Sequence, residues 1–234
     1  RSITRRSREQ GGARSDAYNP SDSFGHRLHH PFTYLSSEIR AYILDRKGNP
    51  IRFIEYDLAN SLPAIFANML VQKIPSIRST YLIGIIEECR IYEDLASKLS
   101  LIRDAAKKEL LHFLYSMSAS SAQKQFEELY GWPAVETGKL KSRTFDDNGY
   151  YVPFNKRHTL LPKEMQRLES SIFREIWKLL LSAGFVFLPV HDACYVADLN
   201  RSAKQRVLNL MKMELRKYMN IKFKIKMKII KRDV

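Results

Sequence analysis

Cysteine is nearly absent from this 234-residue chain: Cys89 and Cys194 are the two present, and neither belongs to a CxxC pair. A disulfide framework and a cysteine-based zinc site are excluded as organising devices. A reducing, intracellular setting is expected, whether cytoplasm, nucleus or organelle matrix, or one reached through a phage or mobile element. Long apolar runs are missing too. Nothing approaches the roughly 18 consecutive apolar residues of a membrane span, and the N-terminus has no signal-peptide core, so no membrane partner is expected. Acids are in deficit, 25 Asp and Glu against 39 Lys and Arg, which leaves a net charge of +14. Such an excess favours a polyanion, and nucleic acid leads because Lys and Arg release its condensed counterions. The sequence opens on Arg1 rather than Met, which suggests a fragment, a processed chain or preceding sequence.

What is present begins with 44% hydrophobic residues, enough for one core or a core with an inserted subdomain. The organising stretch is Leu188 to Asp198. Apolar Phe185 to Val190 leads into His191-Asp192, and Ala193 to Ala197 leads away, which reads as a β-hairpin with an acid at its bend. Asx residues favour tight turns, so alone this acid reads as structural. A second acid changes that reading. In Phe53 to Pro63 a short apolar strand ends on Asp57 and a helical run, Ala64 to Val71, follows. Two carboxylates at the ends of two core strands can share divalent metals, since Mg²⁺ prefers hard oxygen ligands and substrate phosphates.

Arg1 to Phe24, rich in Arg, Ser and Gly, reads as a flexible basic tail. His26, His29 and His30 crowd together without other recognisable metal-ligand spacing, so a surface loop carrying Arg27 is the better reading. Ala41 to Leu44, a Gly48-Asn49-Pro50 reversal and Ile51 to Tyr56 read as strand, turn, strand. Residues 64 to 115 are mostly helical. On the segment Ser100 to Ser116 the residues Arg103, Lys107, Leu111 and Tyr115 recur every four positions and share one face. Two cations and an aromatic suit a triphosphate and its base, beside the plainer reading of a solvated cationic face. Gln123 to Trp132 continues as helix. Pro133 to Pro162 reads as a long loop with a short hairpin at Tyr150 to Phe154. Met165 to Leu181 is a strong amphipathic helix stopped by 182–184. Asn200 or Ser202 caps a helix with Val207 or Leu208, Met211, Leu215 and Tyr218 inside. Ile221 to Ile229 alternates apolar residues with lysines as a half-buried strand, the lysines guarding an edge or binding phosphate.

Five separated pieces then fit one pattern. The chain resembles the polymerase domain of the DNA polymerase I family and its relatives, the single-subunit RNA polymerases. Asp57 resembles the first catalytic aspartate, the Arg103, Lys107, Tyr115 set matches the fingers helix, and Val190-His191-Asp192 matches the hairpin of the second. Gly25 to Leu28 resembles the Gly-Arg-Leu before the first motif, and Met165-Gln166 the Met-Gln opening the helix before the hairpin. The match runs from residue 25 to the C-terminus and is specific as a set rather than singly.

The resemblance implies an α+β fold: a palm with an antiparallel sheet and packed helices, a small helical fingers insertion, and no recognisable thumb. Residues 1–24 are then a tail, 25–63 and 163–234 the two palm parts, and 64–162 the insertion. It implies that Asp57, Asp192 and the Leu58 carbonyl hold two Mg²⁺ (or Mn²⁺) ions, and that Arg103 and Lys107 bind the dNTP or NTP. Tyr115 and Leu62 lie by the nucleotide, and Arg27, Gln166 and His191 touch primer and template. Departures are informative. Leu62 stands where the DNA enzymes have a sugar-selecting Glu, Leu111 replaces an aromatic, Ser116 a glycine, and Ala193 an acid or serine. A thumb supplied by an N-terminal region or a protein partner is expected. The rivals are a two-metal nuclease using Glu55, Asp57 and Asp192, and a non-catalytic palm that binds nucleic acid within a larger complex.

Overall fold

Phe53–Leu58 (β1) is built on strict alternation: Ile54, Tyr56 and Leu58 are buried on one face, while Glu55 and Asp57 stand half-buried on the other. The computed structural model describes residues 25–27, 31–35, 37–40, 42–45, 47–197 and 200–230. The expected tail 1–24 and the residues Leu28, His29 and His30 lie outside them.

Before β1 come a 3₁₀ turn, Pro31–Tyr34, and a single turn of helix, α1 (Ser37–Arg40). Next come α2 (Ser61–Lys73), α3 (Tyr81–Glu87), α4 (Ile91–Leu99), α5 (Arg103–Tyr115), α6 (Ser121–Tyr130) and α7 (Trp132–Lys141). The long α8 (Leu160–Ser182) leads to the hairpin strands β2 (Phe187–Val190) and β3 (Ala193–Ala197), then α9 (Arg201–Tyr218) and β4 (Ile225–Ile229). The strands form one antiparallel sheet in the order β2-β3-β1-β4. It is an α+β architecture with helices against one face of the sheet.

That face carries the main core. Ile54, Tyr56, Leu58, Cys194 and Val196 pack with α2, α8 and α9 through Ile65, Phe66, Ile172, Phe173, Ile176, Val207, Met211 and Leu215. α2 is apolar nearly all round and is accordingly buried. The α3–α7 helices join the same core by aromatic contacts: Phe66 meets Phe113 edge-on at 6.3 Å, and Phe113 stacks on Phe126 at 3.7 Å. The opposite face holds a smaller cluster of Phe53, Val190, Ala193, Tyr195 and Ile230.

Four element readings are corrected. Of the expected strand Ala41 to Leu44, Ala41 lies outside the described residues and 42–44 form no strand; Leu44 makes a single bridge to Pro50. The expected loop from 133 begins instead with α7, because Pro133 sits in the helix's first turn, where the missing N–H costs nothing. The hairpin near 150 is centred earlier, with Phe145 bridged to Tyr151 and a 3₁₀ turn over Phe154–Thr159. The last strand begins at Ile225 rather than at 221. Asn200, not Ser202, caps α9, its side chain accepting from Ala203 N–H at 2.9 Å. No helix among the described residues is long and apolar enough to cross a membrane.

Candidate active site

The two aspartates expected to matter meet at the same end of the sheet. Asp57 pairs in register with Ala193, so Asp192 lies immediately beyond it in the two-residue turn between β2 and β3. The Leu58 N–H donates to the Asp192 carbonyl at 3.3 Å, fixing the turn against β1. His191 reaches this turn at φ 45°, a left-handed conformation suited to tight hairpins. Leu58 itself is buried and pairs with Ile225 of β4.

Both carboxyls are pushed up from their ordinary range. For Asp57 burial is the main cause, reinforced by Asp192 and Glu55, and its pKa is raised to about 7. Asp192 is raised by burial and by the carboxylate of Glu169, with Arg27 and Ser61 pulling the other way. A site that crowds acids and resists their ionisation has a standing demand for positive charge. Part of it is met from β4, where Lys226 stands opposite Asp57 and holds its pKa below what the acids alone would impose.

Behind the aspartates lies a polar cluster that reaches across the chain. Glu169 of α8, with 3% of its side chain exposed, is paired with Arg27 at 2.5 Å and accepts from Ser61 Oγ at 2.7 Å. Burial works against the Arg27 charge, and Glu169 overrules it, so Arg27 stays firmly protonated. Gly25 lets this segment cross α8: a Cβ there would stand 2.3 Å from Gln166 Oε1, while Ser170 Oγ donates to the Gly25 carbonyl at 2.8 Å. Gln166 Nε2 donates to Tyr115 Oη at 2.7 Å, which ties α5 to α8 beside Arg27.

Of the remaining α5 residues, Arg103 is linked to the site through Tyr92. Arg103 pairs with Glu93 at 2.7 Å and lies 5.1 Å over the Tyr92 ring. Tyr92 is buried between that cation and Asp192, and its pKa is pushed up to about 12, chiefly by burial. Lys107 is exposed one turn further along, and Tyr115 is 37% exposed. Leu62, in the first turn of α2, is half-buried against the core.

No protein-family model and no curated protein matches the sequence. Solved structures do match, 109 chains in all. The POL domain of Pol1 from M. smegmatis, in complex with DNA primer-template and dNTP, aligns at a TM-score of 0.66 and 12% identity. The alignment covers 92% of this chain and 47% of that one, so the chain spans about half its length. The chain has a polymerase-like fold.

Within that fold the donor set fits a hard divalent cation, since Asp57 and Asp192 offer oxygens whose ionisation positive charge would relieve. Among the described residues no three or more His, Cys, Asp or Glu side chains gather as a metal site. A cation here would complete its shell with the Leu58 carbonyl, water and substrate oxygens, as Mg²⁺ usually does. Glu55 is otherwise engaged, accepting from Tyr195 Oη at 2.5 Å while Arg40 donates to the same hydroxyl at 2.7 Å.

Sequence reasoning missed Glu169, Ser61 and Tyr92 at the site, while Lys226 was one of the strand lysines read as guarding an edge or binding phosphate. One signal was available: Glu169 falls four residues after Met165 and three before Ile172, a charge inside the buried stripe of α8. A buried acid wants a cation, and Arg27 supplies it.

Proposed function

We propose that the chain is a template-directed nucleotidyltransferase. The carrying observation is the convergence of Asp57 and Asp192 at one sheet end in a polymerase-like fold; in this reading Arg103 and Lys107 of α5 serve the incoming nucleotide. In this reading residues 25–63 and 163–234 serve as palm and 64–162 as fingers. A primer, a template and a dNTP or NTP are the partners.

Asp57, Asp192 and the Leu58 carbonyl would hold Mg²⁺ or Mn²⁺. Such ions lower the pKa of a primer 3′-hydroxyl and neutralise charge on the triphosphate. Arg103 exchanges Glu93 for phosphate, which is cheap because that pair is exposed, and Lys107 adds a second charge along the same face. Tyr115, steadied by Gln166, lies against the nucleobase, and Leu62 stands near the sugar. Arg27, Gln166 and His191 contact the primer–template duplex without reading sequence. Lys226 offers one further cation for the acids or the departing pyrophosphate. The nuclease reading needs Glu55 as a third acid, and its engagement with Tyr195 disfavours it.

The test is extension of a labelled primer on DNA or RNA templates with dNTPs or NTPs, wild type against Asp192→Asn. Template-complementary addition lost in the variant is expected. Duplex binding without extension in either protein would replace this reading with a non-catalytic binding module, and primer shortening with a nuclease. Stabilisation by a nucleoside triphosphate with Mg²⁺ should disappear in Lys107→Ala.

A further inference from the structure

Between α7 and α8 the chain turns a small hairpin that is unusually aromatic for its exposure. Phe145, Tyr150, Tyr151 and Phe154 are 56%, 71%, 63% and 71% exposed. Turns ordinarily show polar residues to water, and clustered exposed aromatics mark a binding surface. The hairpin is well made: Asp146 Oδ1 accepts from the N–H of Asn148 at 3.0 Å and of Tyr150 at 2.9 Å, and Gly149 takes φ 79°. Phe145 and Tyr151 meet edge to face at 6.3 Å. The Arg157 guanidinium lies 5.7 Å from the Phe154 ring, its Nε donating to the Val152 carbonyl at 3.1 Å. Lys156 and His158 adjoin it. Of the acids of the turn, Asp146 Oδ1 is occupied by the turn's own N–H groups, and Asp147 shares Arg143 at 2.8 Å and Lys73 at 3.3 Å with Glu164.

The 3₁₀ turn adjoins the C-terminal end of α5, where Tyr115 lies. Phe154, Arg157 and His158 share a cleft with Met117 and Ser118, which follow Tyr115 directly out of α5. The 3₁₀ turn runs into α8, and Gln166 of α8 holds Tyr115.

We propose that this hairpin and turn are a stacking platform for single-stranded nucleic acid, specifically the unpaired template strand that feeds into the site past Tyr115. Exposed rings offer π-faces to any base, and Lys156 and Arg157 offer charge to the backbone, the combination that sequence-tolerant single-strand binding uses. The template assignment rests on the polymerase reading; the single-strand affinity does not.

The full chain is titrated at fixed salt with fluorescent primer–templates carrying a 5′ template overhang of one or about twelve nucleotides, a span within single-strand site sizes. The long overhang should bind more tightly. The triple variant Tyr150→Ala, Tyr151→Ala, Phe154→Ala should lose about tenfold of affinity, or more, for the long overhang alone. Its one-nucleotide-overhang binding, its extension of that substrate and its circular dichroism should be unchanged. In wild type, 5-iodouracil placed in the overhang should photocross-link to Tyr150, Tyr151 or Phe154. Equal wild-type affinity for both substrates, or full overhang binding by the folded triple variant, overturns the proposal and leaves the patch to a protein partner. The two readings separate cleanly. Overhang binding lost in the triple variant, with no extension by wild type, keeps the platform and removes the polymerase. Extension with overhang-independent binding does the reverse.

Discussion

Asp57 carries the largest electrostatic cost at the candidate site, and the cost has a sign. Its pKa is about 7 in the fold against 3.8 normally. The folded chain therefore holds a proton that the unfolded chain releases, and this contribution to stability is full below about pH 4 and gone above about pH 7. Asp57→Asn should raise Tm at pH 8 by about 3–6 °C, corresponding to about 1–2 kcal/mol after solvent screening, and change it little at pH 4. Thermal melts of both proteins at the two pH values decide it. Millimolar Mg²⁺ should narrow the gap at pH 8; an unchanged gap would mean that the carboxylates do not bind the ion. Glu169→Gln strands the Arg27 charge and should cost about 2–3 kcal/mol in urea unfolding, while lowering the Asp192 pKa because its main charged perturber is gone. The pairing of Arg27 with Glu169 was not legible in the sequence, since it spans the chain and no local pattern encodes it. Asp57 and Asp192 were legible, because each ends an apolar strand-like run.

At the scale of elements, the legible ones had a period or a cap. The α8 stripe, a cap at Asn200 or Ser202 and the hairpin around His191-Asp192 could all be read from spacing. Those that failed were punctuated misleadingly. Pro133 and Gly138 look like breakers in α7, yet the proline opens the helix, and Gly138 leaves room for Gln123, whose Nε2 would stand 2.9 Å from a Cβ there. Gln123 in turn holds a buried cation, accepting at 3.0 Å from Lys141 Nζ, which also donates to the Phe113 carbonyl. Burial pushes the Lys141 pKa down to about 8. The unfolded chain thus binds more protons between about pH 8 and 10.5, so stability attributable to Lys141 rises through that interval. Denaturation of wild type and Lys141→Met at pH 7.5 and 9.5 should show the wild type gaining on the variant at the higher pH; parallel shifts would refute a buried ammonium. The junction of Arg27's segment with α8 is equally tight. Gly25→Ala should cost about 1–3 kcal/mol by forcing its segment away from α8, and Gln166→Ala combined with it should recover little of that loss, because the Cβ that alanine keeps would still stand 2.6 Å away.

Across the whole molecule, charge and topology act together. With +14 of net charge, binding of any nucleic acid should weaken steeply and log-linearly with salt, and a flat dependence would argue that the cations serve other ends. The sheet places β1 between β3 and β4, the last two strands of the chain, with every helix from α2 to α8 made in between. Consider the chain emerging from a ribosome. β1 appears early and finds no partner on either edge, while the helices behind it can already pack around Phe66 and Phe113. Only when residue 229 is out can both edges close. A translation product stopped between α5 and α9 therefore carries Asp57 and all of α5 but leaves β4 and Lys226 unmade, so the sheet end that holds Asp57 is completed only by the last strand.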